Sequence, residues 1–205
     1  MSYRQRLAAS APGEETVVTI GVFDGVHQGH RHLLRQVIEL AGDQYVPTVV
    51  TFSNRPITVL RPGTEPSYLT TLDQRIDLIK EQGIQTVISL EFTLELAQVA
   101  AADFASGLSE SLMMKGLVVG PDSAIGKDRQ GDLVFMQQQG ERLGFWARSV
   151  DTLEIEGQPV KSRRIREAVA SGNLEVCPGL LGRNHTLSGV VVVGDQRGRT
   201  LGFPT

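Results

Sequence analysis

Apolar residues along the first 170 positions follow two patterns, one typical of buried strands and the other of amphipathic helices. Short apolar runs rich in β-branched residues predict strands at 17–23, 47–52, 86–92, 115–120 and 145–155. Apolar residues at helical spacing predict helices at 29–41, 71–82, 100–114 and 133–144, and a shorter one within 160–173. Because strands and helices alternate, the pattern indicates βαβ units and a parallel α/β sheet.

The pattern changes near Leu180. The segment LSGVVVVGDQRGRTLGFPT, residues 187–205, has two strand-like halves, four glycines and no helical period. These features are typical of an antiparallel β module. Since no module of that kind is complete in so few residues, we expect it to be truncated. The sequence therefore predicts one domain over 1–180 and a fragment of a second over 181–205.

Composition narrows the class of protein. The 205 residues are 40% hydrophobic and 21% charged, with a net charge of −3, which suits a globular fold and disfavours a nucleic-acid-coating surface. The single cysteine, Cys177, allows no intrachain disulfide and favours a reducing compartment. No apolar run approaches the roughly 18 residues of a membrane span, and the first residues lack the apolar core of a signal peptide. We expect a cytoplasmic protein without a membrane or nucleic-acid partner, and we assign no oligomeric state.

The stretch GVFDGVHQGH, residues 21–30, connects the first strand to the first helix. Ligands of open parallel sheets bind beyond the carboxyl ends of the strands. Gly25 and Gly29 allow close backbone approach, and the helix start offers unpaired N–H groups to an anion. His27 and His30 add hydrogen-bond donors that are neutral or cationic near pH 7. The combination favours a phosphate site.

Two other interpretations of the histidine pair remain open. One is a helix-capping histidine followed by a surface histidine, which is the ordinary outcome for an arbitrary HxxH. The other is a zinc pair, for which Asp24 would have to supply a third ligand.

A second candidate anion site is VKSRRIREAV, residues 160–169, where Ser162 is placed to cap a helix. Four cations lie near its start, and they oppose the helix dipole unless an anion offsets them. They are Lys161, Arg163, Arg164 and Arg166. A solvated basic face is the alternative interpretation.

The polar loop at 121–132 could form a lid or a substrate wall, although surface loops often have this composition. In TFSNRP, residues 51–56, Asn54 and Arg55 could contact substrate, and Pro56 ends the strand. Cys177 has no evident histidine partner, so we interpret it as a packing residue.

Taken together, these motifs resemble the bacterial bifunctional riboflavin kinase/FMN adenylyltransferase family, also called FAD synthetase. GVFDGVHQGH resembles the family's GxFDGxHxGH, a form of the HxGH motif of the nucleotidyltransferase superfamily. TFSNRPITVL resembles TFxxHPxxVL, and LTTLDQRIDLIKEQGI resembles LTTxxEKxxLLxxxGV. VVGPDSAIGKDRQGD resembles VVGxDFxFGKxRxGD, VKSRRIREAV resembles the SSTRIRxxL segment, and the residues from LLGRNHTLSG to Thr205 resemble the start of a riboflavin kinase domain.

The resemblance implies a Rossmann-like nucleotidyltransferase domain, followed by the truncated start of a β-barrel riboflavin kinase domain. The first domain would transfer AMP from ATP to FMN, giving FAD and pyrophosphate, with Mg²⁺ assisting. The complete protein would also phosphorylate riboflavin to FMN. We expect no riboflavin kinase activity from residues 1–205 alone.

The family pattern also implies roles for individual residues. His27, His30 and Arg166 would act on the reacting phosphates. The ATP site would be formed by Gly21, Phe23, Asp24, Gly25, Ser162 and Arg164. The flavin or substrate side would include Asn54, Arg55, Asp122, Gly126 and Lys127. Thr205 would be a Mg²⁺–ATP ligand of the kinase, in the complete chain only.

Four positions depart from the family pattern. Arg55 replaces a histidine, Ser123 replaces an aromatic residue, and Lys161 and Arg163 replace small hydroxyl residues. Two alternatives to FMN adenylylation therefore stay open: an adenylyltransferase for another phosphate-bearing acceptor, and a nucleotide- or flavin-binding module without turnover.

Overall fold

A computed structural model describes residues 1–64, 67–190, 192–194 and 197–202. Its centre is a five-stranded sheet formed by Thr16–Ile20 (β1), Val46–Phe52 (β2), Thr86–Leu90 (β3), Met114–Val119 (β4) and Trp146–Ser149 (β5). The strands lie in the order β3-β2-β1-β4-β5, and every neighbouring pair is parallel. The Rossmann-like parallel α/β sheet predicted from the sequence is confirmed.

Helices cover both faces of the sheet. They span Tyr3–Ala9 (α1), Gln28–Ala41 (α2), Pro56–Leu60 (α3), Leu72–Lys80 (α4), Leu94–Ala97 (α5), Ala101–Leu112 (α6), Leu133–Leu143 (α7), Ser162–Ala170 (α8), Cys177–Leu181 (α9) and Gly198–Leu201 (α10). Short 3-10 turns occupy Lys127–Arg129 and Leu174–Val176. None of the helices in the described part of the chain combines the length and apolarity needed to cross a bilayer.

Two hydrophobic cores hold the helices against the sheet. On one face, Leu34 and Val37 of α2 and Ile79 of α4 pack with Val17 of β1. On the other face, residues of α1, α6 and α7 pack on the sheet; they include Leu7, Leu108 and Met136. A third cluster joins α8 and α9, and it contains the buried side chains of Ile165, Cys177 and Leu181. Cys177 is thus a packing residue, as the sequence predicts.

The topology places a crevice between β1 and β4. Chain connections run outward from β1 to β2 and β3 on one side, then return to β4 and β5 on the other. At such a reversal of strand order, the loops that follow β1 and β4 run in opposite directions and leave a gap between them. Ligands of open α/β sheets bind in this gap.

Several elements differ from those expected. The first strand ends at Ile20, and it cannot extend through Phe23 as predicted, because Phe23 has a positive φ of 53° that a strand does not tolerate. The last predicted strand ends at Ser149 and is followed by a separate hairpin, Glu154–Ile155 (β6) with Gln158–Pro159 (β7). The short helices α1, α3 and α5 were not predicted.

The β character expected after Leu180 is not found in the described residues. Leu187, Val190, Val192 and Val193 are 77–89% exposed, and Gly198–Leu201 is helical. A strand exists only where a neighbouring strand pairs with its main chain, and the described residues supply no such neighbour here.

Candidate functional site

An open cleft of about 260 Å³, called here the strand-end cleft, lies at the carboxyl ends of β1, β4 and β5. Its lining combines the loop after β1, the start of α2, and the loops after β4 and β5. From the predicted site residues it brings together Gly21, Phe23, His27, His30 and Asp122. Gly29, Ser123 and Lys161 also line it.

The two histidines form a stacked pair at the start of α2. His27 is the N-cap, and its Nδ1 accepts a hydrogen bond from the backbone N–H of His30 at 3.2 Å. The rings stack with centroids 3.6 Å apart. Because Nδ1 of His27 is an acceptor, the neutral ring carries its proton on Nε2, which leaves an N–H donor. The capping interpretation of His27 is therefore correct, and it does not exclude a second role for the ring.

Both imidazoles are held neutral at physiological pH. Burial, followed by the positive charge of Arg166, lowers the pKa of His27 to about 4. Burial, His27 and Arg75 lower the pKa of His30 well below its ordinary value. Nδ1 of His30 is buried without a hydrogen-bond partner among the described residues. The pair thus presents neutral rings to the cleft.

Gly29 brings the starts of α2 and α8 together. A Cβ at this position would lie 3.0 Å from the carbonyl oxygen of Val160 and 3.2 Å from the His27 ring. Glycine therefore allows α2 to approach the segment that precedes α8. This close contact between α2 and the segment before α8 explains why the HxGH motif has a glycine at this position.

A buried ion pair joins the loop after β1 to α8. The carboxylate of Asp24, which is 2% exposed as a residue, lies 2.8 Å from Nη1 of Arg166. Its other oxygen accepts hydrogen bonds from the backbone N–H groups of Leu69 and Thr70. Asp24 fixes the position of Arg166 rather than lining the cleft.

Ser162 does not cap α8 as predicted. Lys161 is the N-cap residue and makes no side-chain cap bond, while Ser162 is the first helical residue. Its hydroxyl instead donates to the carbonyl oxygen of Asp24 at 2.8 Å. The Ser162 hydroxyl thus joins the start of α8 to the loop after β1.

All four cations near the start of α8 have carboxylate neighbours. Lys161 pairs with Asp122, Arg163 with Glu167, and Arg166 with Asp24, while Arg164 lies at 4.0 Å from Glu156. The ion pairs of Lys161 and Arg163 are exposed, so they contribute little to stability and either cation can exchange its carboxylate for another anion. Nη1 of Arg164 is buried without a described partner. These carboxylates offset the positive charge near the start of α8. Arg164 keeps an N–H donor without a described partner.

The predicted flavin-side residues lie mostly outside the strand-end cleft. Asn54 spans the ends of β2 and β3, since its amide donates to the carbonyl of Phe92 and accepts from that residue's N–H, both at 2.8 Å. Arg55 caps α3, and its N–H donates to the hydroxyl of Tyr68. Gly126 packs against the backbone of Ala101, and the N–H of Lys127 donates to the carbonyl of Val99. Only Asp122 reaches the cleft.

Partly buried apolar side chains surround the Asn54 bridge. Phe52 and Phe92 form an edge-to-face pair with centroids 5.5 Å apart. Ile125 is a further partly buried side chain packed on the same core. A planar apolar ligand could rest on this surface, next to the loop that carries Gly126 and Lys127.

Two arginines near the site were not predicted. Arg75 is 1% exposed, donates to the carbonyl of Phe52 at 2.8 Å, and lies over the ring of Tyr68. It lies four residues before Ile79, on the buried face of α4, and this spacing was a usable signal. Arg183 donates to the carbonyl of Gly25 at 2.7 Å, and no pattern in the sequence marks it.

The described residues do not support a zinc pair. They contain no group of three His, Cys, Asp or Glu side chains close enough to hold a metal ion. Asp24, the third ligand required by that hypothesis, is occupied by Arg166 and two backbone N–H groups. Thr205, predicted as a metal ligand in the complete chain, lies outside the described residues.

Comparison with known families agrees with this geometry. The model of the FAD synthetase family matches residues 10–164, and that of the riboflavin kinase family matches 181–205. A crystal structure described as a macrolide-efflux protein from Streptococcus pneumoniae has a TM-score of 0.86 and 28% identity. The likeness covers 97% of this chain and 65% of that one.

Curated relatives align with most of this chain. The bifunctional riboflavin kinase/FMN adenylyltransferase of Escherichia coli K12 is 37% identical over 199 residues, and that of Pseudomonas fluorescens is 36% identical over 191. These alignments cover 96% and 92% of this chain, but only 64% and 61% of the relatives. The chain therefore spans less than two thirds of their length. Since the first family model covers most of the chain, this protein belongs to the FAD synthetase family.

Proposed function

We propose that this chain transfers AMP from ATP to the phosphate of FMN, forming FAD and pyrophosphate. The observation that carries the proposal is the meeting of two helix starts, those of α2 and α8, at one strand-end cleft. Gly29 lies against Val160, and Asp24 pairs with Arg166, so the two starts are fixed relative to each other. Two adjacent helix N-termini favour a polyanion of the size of a triphosphate.

In the proposed reaction, an oxygen of the FMN phosphate attacks the α-phosphorus of ATP. The bond from that phosphorus to the bridging oxygen of the β-phosphate breaks, and the electron pair leaves with pyrophosphate. No covalent bond to the protein forms, and no proton transfer is required. The protein's task is to align two anions and to stabilise charge on the transferring oxygens.

Neutral histidines suit that task. With its Nδ1 accepting from the His30 N–H, His27 offers Nε2–H to a phosphate oxygen. Nδ1 of His30 has no hydrogen-bond partner among the described residues, so a ligand or a water molecule would supply one.

Arg164 and Arg166 would contact the leaving phosphates from α8. Nη1 of Arg164 has no described partner, and Arg166 uses only Nη1 for Asp24, so guanidinium donors remain on both. Lys161 would exchange its exposed partner Asp122 for phosphate. Such an exchange costs little, because the existing pair is open to solvent.

The flavin ring would lie on the apolar surface formed by Phe52, Phe92 and Ile125. Asn54 stabilises that surface through its bonds to Phe92 and does not need to contact flavin. Ser123 lines the cleft where an aromatic residue is usual in the family, so ring contacts would come from the phenylalanines instead.

Magnesium remains part of the proposal as an ion carried by ATP. The described residues form no preformed metal cluster, and Mg²⁺ is commonly bound through substrate phosphates with one or two carboxylates. Asp122 and Asp151 both line the cleft, and Asp122 now pairs with Lys161. Bound Mg²⁺ would supply charge neutralisation on the phosphates, and we assign no step to it.

A second activity, phosphorylation of riboflavin, is proposed for the whole protein because the riboflavin kinase model matches residues 181–205. The described residues of that segment form no strand. We therefore expect no FMN from riboflavin and ATP with residues 1–205 alone. The measurement is chromatography of flavins after incubation with Mg²⁺–ATP, and accumulation of FMN would refute this expectation.

An acceptor panel tests the proposed specificity. The purified chain is incubated with Mg²⁺–ATP and, in parallel, with FMN, riboflavin, nicotinamide mononucleotide and phosphopantetheine. We expect a dinucleotide product from FMN only. A product from another acceptor without one from FMN would assign a different adenylyltransferase. ATP binding measured by calorimetry without any product would assign a binding module without turnover.

A further inference from the structure

The turn before the first HxGH histidine is strained. Phe23 and Val26 have positive φ angles of 53° and 38°, a region that side chains with a Cβ rarely occupy, and Gly25 between them has a φ of 83°. Such residues are strained and persist only where the surroundings hold them in place. The turn 22–26 immediately precedes His27, so its shape sets the position of that ring.

Side chains from separate elements hold this turn by its backbone. The hydroxyl of Thr51 donates to the carbonyl of Val22 at 3.1 Å, and the hydroxyl of Thr70 accepts the N–H of Gly25 at 3.1 Å. Ser162 contributes the contact to the carbonyl of Asp24 described above. These three hydrogen bonds do not involve the carbonyl oxygens of Gly25 and Val26, which need other donors.

Arg183 satisfies both. Its Nη2 donates to the carbonyl of Gly25 at 2.7 Å, and its Nη1 lies 3.4 Å from the carbonyls of Val26 and Leu181. One planar guanidinium thus bridges the strained turn and the end of α9. A lysine could not reproduce this, because it presents a single ammonium rather than a rigid fork.

Arg183 is also remote in sequence from the site. It lies beyond residues 10–164, which match the FAD synthetase family, and within residues 181–205, which match the riboflavin kinase family. A side chain from the second matched segment therefore completes a turn of the first.

We propose that Arg183 is a positioning residue for adenylyl transfer, which holds the turn 22–26 and so aligns His27 with the reacting phosphates. The inference rests on the proposed function and adds a requirement to it: the site is complete only when the start of the second matched segment is docked. Loss of the arginine would misplace His27 without removing any group that touches ATP. Such a fault reduces turnover more than substrate binding.

The test compares Arg183→Gln and Arg183→Lys with Arg35→Gln, a matched arginine exposed on α2. In FAD-forming kinetics we expect kcat to fall at least tenfold in both Arg183 variants, with KM for ATP changed less than threefold. Arg35→Gln should match wild type. Thermal unfolding identifies a folded variant, and Arg183→Lys keeps the positive charge if the glutamine variant fails to fold. A kcat for folded Arg183→Lys within twofold of that of Arg35→Gln would overturn the proposal.

A second readout does not depend on turnover. Arg183 contributes to the low pKa of His27, alongside burial and Arg166. In Arg183→Gln the pKa of His27, followed by proton NMR, should therefore rise. If wild type makes no FAD, the proposed function fails. The titration still tests whether Arg183 acts on His27. An unchanged pKa of His27 would show that Arg183 does not act on it.

Discussion

Asp24 and Arg166 form a buried ion pair across the base of the site, with the carboxylate 2.8 Å from Nη1 of the guanidinium. The pair connects the loop after β1 to α8, two elements separated by 142 positions in the chain. Because Asp24 also accepts from the N–H groups of Leu69 and Thr70, one carboxylate aligns three segments.

Replacing the carboxylate tests this linkage. Asp24→Asn keeps an oxygen for Leu69 and Thr70 but removes the charge that offsets Arg166. Leaving a largely buried guanidinium unpaired costs about 3 kcal/mol, measured as the free energy of unfolding in urea. The control is Glu110→Gln, which breaks the exposed pair between Arg4 and Glu110 and should cost less than about 1 kcal/mol. Equal losses in the two variants would contradict the linkage.

The low pKa of His27 predicts how stability depends on pH. Its ordinary pKa of 6.5 falls to about 4 on folding, so between these values the unfolded chain binds a proton that the folded chain does not. The contribution of His27 to stability is therefore fully present above pH 6.5 and is lost as the pH falls towards 4. His27→Asn keeps an N-cap acceptor and should weaken this dependence.

The measurement is the unfolding free energy of wild type and His27→Asn at intervals from pH 4.5 to 7.5. We expect wild type to lose more stability than the variant across the acidic part of this range. Parallel curves would show that His27 has the same pKa in both states.

His30 is expected to be essential for turnover. Its ring lines the cleft, and removal of a preorganised donor near the transferring phosphate costs about 10²–10³ in kcat. We therefore expect His30→Ala to lose FAD formation by at least a hundredfold while its circular dichroism and thermal unfolding remain those of a folded protein. The matched control is His32→Ala, two residues further along α2. A folded His30→Ala with wild-type turnover would refute the assigned role.

The sequence predicted the five-stranded sheet and the longer helices because each of them carries its own periodicity. The cleft followed from topology, since His27 and His30 come directly after β1. Contacts between distant segments could not be predicted: Ser162 looked like a cap because capping is a local pattern, and its actual partner, the Asp24 carbonyl, is 138 positions away. Arg183 had no local signal at all, because its partners are backbone carbonyls.

Asn54 and Arg55 received their roles from the family resemblance rather than from a local pattern. They were assigned to the substrate side in the loop after β2. In the structure the Asn54 side chain bonds to the backbone of Phe92, and the backbone N–H of Arg55 donates to the hydroxyl of Tyr68. A polar residue at a strand end satisfies either a ligand or a neighbouring backbone, and the sequence does not distinguish them. Their contact with flavin stays a prediction.

The most direct test of the adenylyl-transfer account is the stoichiometry of products from FMN and Mg²⁺–ATP. FAD is quantified by chromatography and pyrophosphate by a coupled assay, in the same sample over time. The account predicts that one pyrophosphate appears for each FAD, with no AMP or ADP accumulating. Folded protein that forms no FAD, or that forms FAD without an equal amount of pyrophosphate, would contradict it.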